Sequence, residues 1–137
     1  MSTFSETITL VNERDATNAD VGIIPRQAVH RVTLSACVDT GSWFLVINEE
    51  VRAALGLELK AEKKAHLADG SVNTYFMTEA VEFHWKDRVG SMGALVIPGA
   101  KEVLFGALCM EALDLIADPV DERLVGKHGD TALYQIY

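Results

Sequence analysis

Apolar and β-branched residues occur along this chain in short runs, broken by Gly, Pro, Asp, Asn and Ser, which predicts many short strands and little helix. Ile8 to Val11 is a short β-prone run, and the polar stretch Asn12 to Asp20 reads as a turn or loop. Arg26 to Val38 is strand-like, with Val29, Val32, Leu34 and Cys37 as its apolar members, and it breaks at Asp39-Thr40-Gly41-Ser42. An apolar run from Trp43 to Ile47 then resumes as a strand.

Asn48 is placed to cap a short helix from Glu49 to Leu55, with acidic residues in its first turn and Gly56 at its end. Two β-prone segments flank Ala68-Asp69-Gly70-Ser71, a Gly-centred hairpin signal. Ala80 to Trp85 alternates, Lys86-Asp87-Arg88 predicts a turn into Gly90 to Ile97, and Pro98-Gly99 predicts another. Val103-Leu104-Phe105-Gly106 leads into a second short helix, Ala107 to Leu113, and Ala132 to Tyr137 is β-prone to the terminus. No internal repeat or low-complexity segment interrupts this order, so an all-β, closed or half-closed barrel with one or two short helices is expected.

With 137 residues the chain has room for one domain and too little for two, and 49% hydrophobic with 23% charged residues is globular composition. Twelve Lys+Arg against 20 Asp+Glu leave a net charge of -8, which disfavours nucleic acid and anionic membrane as partners. Lys60, Lys63 and Lys64 are interrupted by Glu62 and form no basic cluster of that kind. The start lacks a basic segment followed by an apolar core, and no apolar run reaches membrane-spanning length, so a cytoplasmic protein is expected. Cys37 and Cys109 match no metal or redox spacing and read as reduced, largely buried thiols, a disulfide between them being the minor alternative. His30, His66, His84 and His128 show no ligand spacing, so neither a metal nor any other cofactor is expected.

Chemistry enters at Asp39-Thr40-Gly41. Such a triplet arises by chance in about one chain in thirty of this length, so its context decides. A hydrophobic strand (Ala36-Cys37-Val38) precedes it, Ser42 follows, and farther on a second apolar-apolar-Gly element, Leu104-Phe105-Gly106, enters a helix.

With these features the chain resembles the retropepsin-like (clan AA) aspartic peptidases from about Val29 to Val125. The parts follow the family's order: Asp39-Thr40-Gly41-Ser42, the helix ending Leu55-Gly56-Leu57, a hairpin around Asp69-Gly70, the strand ending Leu95-Val96-Ile97-Pro98, Leu104-Phe105-Gly106 with its helix, and Leu115-Ile116-Ala117-Asp118-Pro119. The resemblance implies one retropepsin-like domain over residues 1–137, a protein or peptide substrate, and hydrolysis by two carboxyls that share one proton. Only one Asp-Thr-Gly is present, so it also implies a homodimer whose axis brings two Asp39 residues together. The terminal runs Ile8 to Val11 and Leu133 to Tyr137 are then candidates for the interface. Thr40 would brace the two loops across the axis, Gly41 would admit substrate backbone, and Ser42 would donate to the outer oxygen of Asp39. Ala68, Asp69, Gly70 and Ser71 would form the flap, and Leu104, Phe105 and Gly106 a structural floor behind the loop.

The sequence departs from the retroviral pattern at Trp43 and Ala107, where retroviral members often carry an acidic residue and an arginine that pair, which points to a cellular or bacterial branch. Plainer readings remain beside the sharp one. The triplet is also a good turn between strands, and Ala68 to Ser71 a good hairpin tip. Trp43 and Phe44 fit a core or a subsite, Trp85 fits packing against a sheet, and Asp118-Pro119 fits a strand end. The rival function is a catalytically inactive dimerisation or peptide-binding module of the same fold; a small metal-dependent hydrolase would require activity sensitive to chelators.

Overall fold

Nine strands and three short α-helices succeed one another in the computed structural model, which describes residues 3–136. In order they are β1 (Thr3–Asn12), α1 (Glu13–Asp20), β2 (Arg31–Asp39), β3 (Leu45–Ile47), α2 (Glu49–Ala54), β4 (Leu59–His66), β5 (Val72–Trp85), β6 (Arg88–Val96), β7 (Val103–Phe105), α3 (Ala107–Ala112), β8 (Leu115–Asp118) and β9 (Arg123–Gly126). A single 3-10 turn, Arg26–Ala28, precedes β2. Seven strands form one sheet in the order β1-β2-β7-β3-β6-β5-β4, and a further pairing of β1 with β5 closes six of them into a barrel. The fold is therefore all-β and barrel-closed, as the strand-and-turn pattern predicts, with β4 left outside the closure.

Alternation explains the closure. In β5 the residues Val81, Phe83 and Trp85 point inward and are buried, whereas Val72 to Thr74 are exposed. The strand thus serves the barrel with its second half and leaves it with its first, where it pairs with β4 as a projecting hairpin. The change of role falls at a register shift between Met77 and Ala80. Thr78, buried there, accepts the amide of Ala94 on Oγ1 at 3.0 Å. Next to it the Glu79 carboxylate takes Nε and Nη2 of Arg14 at 2.9 and 3.0 Å and the amide of Glu58 at 2.8 Å, so the root of the hairpin is held from both sides.

The barrel interior is filled by Ile8, Leu10, Val38, Leu45, Ile47, Val81, Phe83 and Phe105, with Phe83 and Phe105 edge-to-face at 5.7 Å. Each such side chain stabilises the fold by about 1.5–3 kcal/mol relative to exposure. Asn48 caps α2 by accepting the amide of Val51 at 2.9 Å, and Leu55 closes the helix against the core. Trp85 packs at the edge of the same core.

Two expectations need correction, and a third element takes a place the sequence did not indicate. Asn12 to Asp20 is not a loop: Asn12 caps α1 by accepting the amide of Asp15 at 3.1 Å, and Glu13 and Asp15 lie in the first turn. None of its helical residues is buried, so no apolar stripe announces it in the sequence. Ile8 to Val11, a candidate for the interface, is an interior strand of the barrel within the single chain. It runs through the core, pairs with β2 throughout, and from Thr9 also pairs with β5. Residues 132–136 form no strand; Tyr137, the last residue of that expected run, lies outside the described residues.

What holds the C-terminal segment is a buried polar cluster. Arg88 donates to the carbonyls of Leu113, Asp114 and Gly129 at 2.8, 2.9 and 2.6 Å. The Asp114 carboxylate accepts the amide of Leu133 at 3.0 Å and contacts Nδ1 of His128 at 2.9 Å. Asp114 takes the Leu133 amide and most of the segment is exposed to solvent, so it needs no strand partner.

Candidate active site

Asp39 ends β2, and the chain then reverses in a tight turn. The amide of Ser42 donates to the Asp39 carbonyl at 3.1 Å, and the amide of Gly41 donates to Asp39 Oδ1 at 2.9 Å. This Asx-type turn is what Asp, Thr and Gly in succession favour locally. Asp39 is half-buried, while Thr40 and Gly41 at the apex are exposed.

Tertiary contacts fix the loop from behind. β7 pairs parallel with β2 and antiparallel with β3, so it lies between the strands on either side of the turn. At its end, the amide of Ala107 donates to the Ser42 carbonyl at 2.7 Å and that of Leu108 to the Trp43 carbonyl at 3.0 Å. Two otherwise unpaired donors at the start of α3 are thereby satisfied by the loop itself. Gly106 is what allows this approach: a Cβ there would lie 2.5 Å from the carbonyl oxygens of both Ser42 and Phe44. Of the three residues expected as a floor, Phe105 is in the core, Gly106 backs the loop, and Leu104 reaches the adjoining cleft.

That cleft, of about 460 Å³, opens beside Asp39. Phe44, Val46, Leu95, Ile97 and Leu104 give it an apolar floor, with Trp43 at the rim, 69% exposed. Its other wall is the β4 side of the projecting hairpin, residues 63–68. Ala68 lines the cleft, whereas Asp69, Gly70 and Ser71, the hairpin tip, stand outside its lining. The tip is a three-residue loop between Leu67 and Ser71: Gly70 donates its amide to the Leu67 carbonyl at 2.9 Å, and the amide of Ser71 donates to Asp69 Oδ1 at 2.8 Å. Gly70 has φ +85°, the left-handed conformation that closes such a loop with little strain in glycine.

Ser42 does not meet Asp39. Its hydroxyl donates to the Phe44 carbonyl at 3.3 Å, and the Asp39 carboxylate is served instead by the Gly41 amide. The two thiols are free and buried. Burial pushes the Cys109 thiol up to about 12, and burial, then the negative charges of Glu102 and Asp39, raise that of Cys37. Both stay protonated near neutrality, which argues against thiolate chemistry. Among the described residues no three His, Cys, Asp or Glu side chains converge in a metal-holding group.

Sequence reasoning did not identify Val46, Leu95 and Ile97 as cleft residues, nor Lys63, Lys64 and His66 on the facing wall. The apolar three look like ordinary strand residues in the sequence, and only the parallel pairing of β3 with β6 brings them together. Trp43 and Phe44, left open between core and subsite, both line the cleft.

Residues 27–112 match the family model described as aspartyl protease, a span that runs from the turn before β2 to the end of α3. No curated protein gives a match. Among solved structures, a retropepsin-like aspartic protease from Rickettsia conorii aligns with a TM-score of 0.49 and 18% identity, over 85% of this chain and 88% of that one. Among the described residues no helix is long and apolar enough to cross a membrane.

Proposed function

The chain belongs to the aspartyl protease family, and from that premise we propose that it is an endopeptidase whose catalytic dyad consists of two Asp39 carboxyls, one from each of two paired copies. The observation that carries this reading is the position of Asp39: on an anchored turn, half-buried, at the mouth of a cleft with an apolar floor and a β-hairpin wall. One carboxylate alone cannot do the work. Hydrolysis by this route needs a base to take a proton from water and an acid to polarise the scissile carbonyl, and two adjacent carboxyls sharing one proton supply both. Each chain brings one such aspartate, and the exposed Thr40, Gly41 and Trp43 form a surface on which a second copy can complete the site.

The substrate is a peptide segment held in extended form between the floor and the hairpin, where backbone hydrogen bonding gives affinity and alternate side chains give selectivity. In this reading residues 1–137 act as one retropepsin-like domain, and the hairpin closes over bound substrate. The test is cleavage of a peptide library by purified protein over a dilution series. Specific activity should fall as the dimer dissociates. A species that sediments as a monomer and cleaves undiminished would remove the shared dyad, and a stable dimer that binds peptides without cleaving any would leave a binding module instead.

A further inference from the structure

The protein is acidic, with 12 Lys+Arg against 20 Asp+Glu, yet the ionisable side chains around its cleft have the opposite balance. Asp39 is the acidic member of the lining; Lys63, Lys64 and His66, all on β4, are the basic ones. Neither lysine has a carboxylate within 4.0 Å among the described residues, whereas Lys60 on the same strand contacts Glu58 at 3.8 Å. Lys63 shares a strand face with Ala65 and Leu67, which are half-buried, so it belongs to the underside of the hairpin. Lys64 and His66 alternate with it on the other face of β4, and both are also among the residues that line the cleft.

We propose that this strip selects peptides in which apolar side chains alternate with aspartate or glutamate, the inference resting on the endopeptidase reading above for the identity of the site. An extended peptide presents successive side chains to opposite sides. Lying between Phe44, Val46, Leu95, Ile97 and Leu104 below and β4 above, it turns apolar residues to the floor and the residues between them to Lys63, with the charge of Lys64 next to it on the cleft lining. The overall negative charge does not cancel this preference. Beyond about 8–10 Å it is screened at ordinary ionic strength, while the cleft cations act at contact. The competing explanation is that these lysines only guard the outer edge of β4 against pairing with other chains, in which case they have no bearing on peptide choice.

Three fluorescent peptides separate the two explanations: a common Leu framework alternating with Glu, with Gln or with Lys. Their binding is measured by anisotropy on Asp39→Asn protein, and their cleavage on the unaltered protein. The Glu peptide should bind about fivefold tighter than the Gln peptide, the size of one favourable exposed charge contact, and the Lys peptide should bind weakest. Added salt should shrink the difference. In protein also carrying Lys63→Gln and Lys64→Gln, the Glu-to-Gln ratio should fall to near one. Equal affinities, binding of none of the three, or a preference that survives removal of both lysines would overturn the proposal. Binding with the expected preference but no cleavage by the unaltered protein would instead sink the endopeptidase reading and leave this one standing. Cleavage without charge preference would do the reverse.

Discussion

Asp39 and Asp69 sit in turns that are nearly the same locally. Each carboxylate accepts the amide two residues on, at 2.9 and 2.8 Å, and each turn reverses the chain between strands. Their surroundings differ. The Asp39 turn is backed by β7 and the start of α3, and a Cβ on its supporting Gly106 would meet backbone oxygens at 2.5 Å. The Asp69 turn projects at the end of the hairpin, and a Cβ on its Gly70 would meet nothing within 4 Å. The local code therefore specifies a turn in both places. Only at Asp39 does the fold hold that turn in a fixed position beside a cleft, which is what a catalytic group requires.

The largest break in the comparison should come from removing each carboxylate's charge. Asp39→Asn keeps shape and hydrogen bonding but cannot pass a proton, so cleavage should fall on the order of a thousandfold or more with the fold retained. Asp69→Asn should change the rate only a few-fold, through the hairpin. Both are read from kcat/KM alongside circular dichroism. Comparable losses from the two variants would mean that Asp39 has no special role.

A second, smaller contrast concerns the glycines. Gly106→Ala forces a methyl into the carbonyls of Ser42 and Phe44, and the backbone has to shift; about 2–3 kcal/mol of stability should be lost. Gly70→Ala meets open space but has to hold φ near +85°, which costs about 1 kcal/mol. Urea unfolding ranks the two. The reverse order would mean that the loop yields more readily than its packing implies.

The same contrast explains what could be read from sequence. Turn residues act over four or five positions, so Asp39 to Ser42, the Gly70 tip and the Asn48 cap were legible. The strand alternation of Val81, Phe83 and Trp85 was legible too, and with it the barrel class. Helix α1 was not, because all its faces are polar or only half-buried and its anchor is Arg14 on Glu79, 65 residues away. The β-prone residues 132–136 form no strand: Asp114 takes the Leu133 amide and Arg88 holds the Gly129 carbonyl just before the run, and neither is remarkable in its own sequence neighbourhood. The cleft floor depends on the parallel pairing of β3 with β6, which no local pattern encodes.

The smallest effect sharpens the comparison at the two serines. Ser71, through its side chain first and its backbone amide second, holds the Asp69 carboxyl below the usual aspartate range. Ser42 makes no such contact with Asp39, its hydroxyl being engaged by the Phe44 carbonyl. Ser71→Ala should therefore raise the Asp69 titration midpoint toward the ordinary value, as followed by NMR of the side-chain carbonyl. Because a depressed folded-state pKa favours the folded form above the unfolded pKa and loses that favour as pH falls through the folded one, any linked change in stability belongs to the acid range near and below pH 4. At an exposed hairpin tip this change should be slight. Ser42→Ala, in contrast, should leave the acidic limb of the cleavage profile where it is and lower stability by no more than about 1 kcal/mol, as for one long hydrogen bond. Movement of that limb by half a pH unit or more would show that Ser42 turns toward Asp39 in the working enzyme, and that the two turns differ in their serines as well as in their anchoring.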